Sequence, residues 1–239
     1  MVLPAAAQSK NDPSIRERYD TVLREVIVGG QVFTLLSVRD TNALVDAIDP
    51  EVFAADERFP YWADLWVSSV VLAEHLSGLA SGTRVLELGC GLGLAGIVAA
   101  RAGATVTLTD IDPDALLFAA ENSSLNLEPA QRERVTIAPM DWRTSVPQRH
   151  FDLVIGADIV YERRFFEPLL TLLPRLIVAG GAVLLAEPDR AVGKDFFAQA
   201  RAAGWRVSTS RLSRVWNGRP VTVTLNALTT SRSGVSAGT

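Results

Sequence analysis

Apolar residues along this chain recur in three rhythms, and their order sketches a fold. In VLREVIVGGQVFTLLSV (22–38) two apolar-rich runs meet at Gly29-Gly30, which predicts a β-hairpin. From Trp66 onward, Val67, Val70, Val71, Ala73 and Leu76 fall at helical spacing and give a helix a packing face. From Arg84 the pattern turns into short unbroken apolar runs: RVLEL, TVTLTD, RVTIAP, DLVIGAD and GAVLLAE. Such runs mark parallel strands covered on both faces. Helix-length segments lie between or after them: LGLAGIVAARAG, DPDALLFAAENSSLN, ERRFFEPLLTLLPRLIVAG and KDFFAQARAAG. The second has a defined start, with Asp112 as cap and Pro113 at the first helical position. WRVSTSRLS and PVTVTLNAL, joined through Asn217-Gly218, predict a terminal antiparallel pair. The expected architecture is a doubly wound α/β fold: a mostly parallel, Rossmann-like seven-stranded sheet with a C-terminal antiparallel pair and an N-terminal hairpin extension.

Length and composition narrow the reading. The 239 residues suit one domain, expected over 15–228, with an N-terminal extension at 15–80 and the core at 81–228. Residues 1–14 and 229–239 are expected to be flexible tails. A net charge of −4 lacks the basic excess of a nucleic-acid binder, although arginine is plentiful beside only two lysines, Lys10 and Lys194. Cys90 is the sole cysteine, so no intrachain disulfide forms. The first residues do not read as a signal peptide, and the apolar region 169–186 is broken by Pro174, Arg175 and a glycine pair. A cytoplasmic protein without a membrane span is expected. No spacing suggests a metal site, and His75 and His150 are expected at the surface or a helix end.

The candidate chemistry begins at VLELGCGLGLAG, where a strand runs into Gly89, Gly91 and Gly93 and a helix follows. Glycines let a ligand approach the backbone, and the helix start offers free N–H groups to a pyrophosphate or a carboxylate. Residues 91–96 (GLGLAG) fit the dinucleotide pattern, and Asp110, at the end of the next strand, suits ribose hydroxyls; both signals are shared by nicotinamide and S-adenosylmethionine enzymes. Three features favour S-adenosylmethionine. Glu87 precedes the loop where it can reach the ammonium of a methionine moiety. About eighty residues precede the loop. PMDW (139–142) offers Asp141 to an adenine amino group and the Trp142 ring to the base, core packing being the alternative for the ring. Cys90, Ile111 and Ala157, at the strand ends, complete the expected cofactor set. Cys90 reads as a small loop residue rather than a nucleophile.

VLELGCGLGLAG, TLTDIDPDAL, MDW and ADIVY together resemble the seven-strand (class I) methyltransferases. More narrowly they are similar to the protein-lysine methyltransferase branch called family sixteen, over about residues 58–190. The resemblance implies an S-adenosylmethionine cofactor, places Trp66 of ADLWVSS near it, and assigns the acceptor site to Asp158 and Tyr161 of an Asp-x-x-Tyr motif. PYWADLW and EPDR are similar to segments of the electron transfer flavoprotein β-subunit lysine methyltransferases. The bland readings are that Trp62 and Trp66 anchor the N-terminal segment, that Asp158 caps a helix beginning near Glu162, and that Arg163-Arg164 is a solvated helix start rather than a contact for an acidic partner.

Methyl transfer from a sulfonium to an amine is an in-line displacement for which the protein mainly aligns donor and acceptor. The amine must be neutral, which costs a lysine about 4–5 kcal/mol at neutral pH, and a nearby sulfonium lowers that cost. Asp158 therefore reads as an orienting acceptor for the amine N–H, and Tyr161 as a wall or hydrogen-bond partner. The expected activity is lysine N-methylation of a protein, with a small amine or pyridine as the other acceptor class and a nicotinamide oxidoreductase as a remote third.

Overall fold

The computed structural model describes residues 14–46, 59–144 and 150–230. A seven-stranded sheet in the order β5-β4-β3-β6-β7-β9-β8 forms its centre. The strands are β3 (Arg84–Leu88), β4 (Thr105–Asp110), β5 (Val135–Pro139), β6 (Phe151–Ala157), β7 (Ile177–Pro188), β8 (Trp205–Trp216) and β9 (Arg219–Thr230). The pairs from β5 to β7 are parallel, whereas β9 runs antiparallel to β7 and β8 antiparallel to β9. The winding direction reverses between β3 and β6. Ligands of doubly wound sheets sit at that switch point, beyond the carboxyl ends of the strands.

The longer helices follow from the sequence pattern, whereas the short ones at Ile15–Arg18, Thr41–Asp46 and Pro129–Arg132 are not expected from it. After the short α1 (Ile15–Arg18) and α2 (Thr41–Asp46), α3 (Val67–Leu76), α4 (Leu94–Arg101) and α5 (Pro113–Asn126) cover the sheet. A single turn, α6 (Pro129–Arg132), leads to β5, and α7 (Phe166–Leu176) and α8 (Ala191–Ala202) cover the second half. Asp112 caps α5 by accepting the Asp114 N–H at 2.9 Å, as its sequence predicts. Leu72, Leu86, Leu94, Ile97 and Leu108 are fully buried. Each such side chain contributes about 1.5–3 kcal/mol on leaving water.

The N-terminal hairpin pairs β1 (Thr21–Val28) with β2 (Gln31–Val38) in a sheet of its own. Two asparagines of α5 join it to the core by imitating a neighbouring strand. Asn122 accepts the Leu36 N–H at 2.7 Å and donates to the Leu36 carbonyl at 3.1 Å, and it also donates to the Leu92 carbonyl in the glycine loop at 3.0 Å. Asn126 makes the equivalent pair with Thr34. The extension is thus tied to the loop that shapes the site.

Three expectations need correction. The helix expected over 162–180 opens with one 3₁₀ turn at Arg163–Phe165 and stops at Leu176. Pro174, β-branched Ile177 and Val178, and the glycine pair turn the chain, so Ile177 begins β7 and Gly180 takes a positive φ at a register shift. Strand β9 continues to Thr230, so Thr229 and Thr230, expected in a flexible tail, pair with Ala182 and Trp205. Ser14, also expected in a tail, caps α1. Residues 1–13 and 231–239 lie outside the described residues.

Candidate active site

The loop after β3 is built by tight local bonding. Gly89, Gly91 and Gly93 have φ of 62°, 51° and 81°, a region L side chains rarely enter. A Cβ on Gly89 would lie 3.1 Å from Ile159 and 3.5 Å from the Trp142 ring, and one on Gly91 would lie 3.3 Å from the Trp62 carbonyl. Asp110 braces the loop: one carboxylate oxygen accepts the Gly91 N–H at 2.9 Å and the other the Asp112 N–H at 3.0 Å. Glu87, 2% exposed on the central strand, accepts the Gly96 N–H at 2.9 Å. A Cβ at Gly96 would stand 2.6 Å from that carboxylate, so only glycine lets the helix start reach it. Burial pushes Glu87 up to about 8 and raises Asp110 above the usual carboxylate range.

These groups open into a cavity of about 760 Å³, within the range of sites for small molecules and cofactors. It collects Trp66, Glu87, Gly89, Cys90, Gly91, Asp110, Ile111, Asp141, Trp142, Ala157, Asp158 and Tyr161 on one surface. Gly93 is the expected site residue that does not line it: it begins α4 and faces Ala119, where a Cβ would come within 3.2 Å. The Trp142 ring packs edge-on against Phe165 and over Gly89, which combines a place in the lining with core packing. Asp141 is held by Arg143 through paired contacts of 2.9 and 2.8 Å. Cys90 is buried with its thiol pushed well up, which suits an inert loop residue. His75 and His150 are exposed, and no group of metal-ligating side chains occurs among the described residues.

Aromatic rings wall the end of the cavity nearest β6. Tyr61 meets Tyr161 and Trp66 edge-on at 5.5 and 6.1 Å, and Tyr161 meets Phe165 at 5.7 Å. Trp66 Nε1 donates to the Tyr61 carbonyl at 2.8 Å, so Trp66 both anchors the N-terminal segment and faces the cavity. Trp62 packs on Tyr19 and Phe118 and lines the cavity beside the glycine loop.

Asp158 does not cap a helix. The turn that follows starts after Glu162, and the Asp158 carboxylate accepts instead from Arg190 Nη1 at 2.9 Å. Its side chain is 8% exposed, the buried Ser68 hydroxyl stands beside it, and burial raises its affinity for a proton against the pull of Arg190. Arg163 pairs with Asp195 and Arg164 with Glu162, so both cations at the helix start are met within the chain. Arg190 and Glu187 lie in the EPDR run, for which the sequence carries a resemblance but no role. Ser68 gave no sequence signal, being one hydroxyl on an apolar helix face.

A doubly wound sheet with this order, a glycine loop braced by Glu87 and Asp110, and an acidic, aromatic-walled cavity define a class I methyltransferase. The crystal structure of the glycopeptide N-methyltransferase MtfA shares the fold, with a TM-score of 0.58 at 14% identity over 72% of this chain and 92% of that one. A family described as "Lysine methyltransferase" matches residues 61–202, more than half of the chain, and the protein belongs to that family. Protein N-lysine methyltransferase METTL21A of Danio rerio is 41% identical over 136 residues, covering 54% of this chain and 62% of that protein. The electron transfer flavoprotein β-subunit lysine methyltransferase of Danio rerio is 31% identical over 145 residues, covering 57% and 53%. The chain thus spans little more than half to three fifths of these curated relatives. Family membership overturns the nicotinamide reading of GLGLAG in favour of S-adenosylmethionine, the cofactor of this class. The cavity fits that cofactor, with a buried acid for an ammonium, loop glycines that leave room for a ligand, and Asp110 for ribose hydroxyls.

Proposed function

We propose that this protein transfers methyl groups from S-adenosylmethionine to lysine side chains of a protein substrate. The observation that carries the reading is the charge of the cavity as a whole: seven acidic side chains, of which only Glu87 is pushed up to about 8, line it against three arginines. That excess of negative charge attracts a lysine, which arrives as a cation. The names of the relatives support a protein acceptor. No described helix is long and apolar enough to cross a membrane.

Glu87 and the glycine loop hold the amino-acid end of the donor, Asp110 its ribose, and Asp141 and Trp142 the base. S-adenosylmethionine supplies the methyl group and, as its sulfonium, the leaving group. Asp158 accepts an N–H of the amine and directs the nitrogen lone pair along the line of transfer. Burial and the neighbouring Glu162 push the Tyr161 phenol up to about 12, so it stays neutral at pH 7 and acts as a wall and hydrogen-bond donor, not as a base. Solvent takes up the proton that lysine sheds.

The test is transfer of radiolabelled methyl groups into a lysate of the source organism, with protein and small-molecule fractions counted separately and labelled protein hydrolysed to amino acids. Label in methyl-lysine of a protein band is the expected result. Label only in soluble metabolites would instead establish a small-molecule N-methyltransferase.

Donor binding is expected to depend on pH through Glu87. Pairing with an ammonium requires the ionised acid, so below about 8 the free protein must release a proton on binding. Affinity for S-adenosylhomocysteine therefore rises as pH increases from 6 to 8 and falls again where the ligand's own ammonium loses its proton. Calorimetry in buffers of different ionisation enthalpy reads the released proton directly, and Glu87→Gln removes the dependence.

A further inference from the structure

We infer that Glu187 and Arg190, at the carboxyl end of β7, are positioning residues for methyl transfer that hold the Asp158–Tyr161 turn and the Asp158 carboxylate in the geometry that receives the amine. The inference rests on the lysine-methylation reading above. Asp158 has φ of +56°, an unfavourable conformation for a residue with a side chain, and such a residue persists only where its surroundings over-determine it. The segment from 186 to 190 supplies those constraints. The Asp158 N–H donates to the Ala186 carbonyl at 2.9 Å. The next two N–H groups, of Ile159 and Val160, both donate to one oxygen of the Glu187 carboxylate, at 3.1 and 3.4 Å. Arg190 then grips the carboxylate of Asp158 itself at 2.9 Å, with its guanidinium 6.0 Å from the Trp66 ring. The C-terminal hairpin anchors the clamp, since Thr224 donates to the Glu187 carbonyl at 3.1 Å and the Asp189 N–H to the Thr222 carbonyl at 3.2 Å.

The chemistry of the clamp exceeds what a turn needs. Glu187 is 3% exposed, and burying an acid beside a second acid is an expensive way to satisfy two backbone N–H groups. Asp158 faces the Ser68 hydroxyl from α3, Glu187 from β7 and Arg190 from the turn after β7. One guanidinium thus serves two buried carboxylates. Its direct contact favours the ionised form of Asp158, at the cavity, over that of Glu187, whose affinity for a proton burial raises strongly. An ionised Asp158 accepts an N–H, whereas a protonated one does not present the same acceptor.

The variants Arg190→Met, Arg190→Lys and Glu187→Gln test this, with two readouts: the initial rate of labelling of the acceptor band between pH 5.5 and 9, and S-adenosylhomocysteine affinity by calorimetry. Arg190→Met is expected to slow labelling about tenfold or more at pH 7, to move the acid limb of the rate profile to higher pH, and to change affinity less than twofold. Arg190→Lys restores part of the rate. Glu187→Gln keeps an oxygen for the two N–H groups and most of the rate. Should Glu187→Gln fail to fold, the two Arg190 variants decide the question. Wild-type labelling kinetics in Arg190→Met, or equal losses of rate and affinity, would overturn the inference. A wild-type protein that labels no protein band would remove the reading beneath it instead.

Discussion

Replacing Asp158 with alanine is expected to slow methyl transfer about 100-fold while S-adenosylhomocysteine affinity stays within twofold. Misplacing a reacting group by about 1 Å costs a factor of this order, because transfer in line tolerates little angular freedom. Asp158 is the one carboxylate of the cavity paired to the Arg190 guanidinium, and it stands at the end of β6, beside Tyr161. Donor affinity survives because Glu87 and Asp110, on β3 and β4, make their contacts without it. Asp158→Asn refines the result: asparagine tolerates the left-handed backbone and keeps an acceptor oxygen, so it loses charge without losing the turn. Its rate is expected between those of the wild type and Asp158→Ala. Single-turnover rates with preloaded donor, set beside calorimetric affinities, separate the two effects. Parallel losses of rate and affinity would make Asp158 a cofactor or folding residue.

The second large effect is expected at Asp110, where alanine weakens S-adenosylhomocysteine binding about 10- to 100-fold. A hydrogen bond to a charged group contributes about 1.5–3 kcal/mol. Asp110 acts twice, facing the cavity while accepting the Gly91 and Asp112 N–H groups. Alanine leaves both donors without partners and loosens the turn beside Gly89 and Gly91. Asp110→Asn retains one acceptor oxygen and is expected to lose less. Unchanged affinity in a folded Asp110→Ala protein would show that the ribose is held elsewhere.

The parallel strands were legible because apolar runs of five to seven residues admit few alternatives, and the loop glycines because their spacing follows a strand directly. Asp112 and Pro113 gave the start of α5 from local chemistry alone. What stayed hidden depends on contacts distant in sequence. Asn122 and Asn126 look like ordinary polar residues of a helix, yet they bond a hairpin more than eighty positions away. The partner of Asp158 lies 32 residues downstream, so the sequence offered a local cap where the structure has an ion pair. Gly93 belonged to the glycine pattern, but its place is a helix start packed on Ala119, away from the cavity. The end of α7 was missed because Leu169–Ile177 keeps a helical apolar rhythm through Pro174, and only the pairing of β7 with β6 shows where extended backbone takes over.

Titrating the purified protein with S-adenosylhomocysteine and, separately, with NADH measures most directly what the β3 loop is built to hold. One S-adenosylhomocysteine per chain, with no heat from NADH and with binding reduced in Asp110→Ala, is the predicted result. Uptake of NADH by a protein indifferent to S-adenosylhomocysteine would contradict the account at its base.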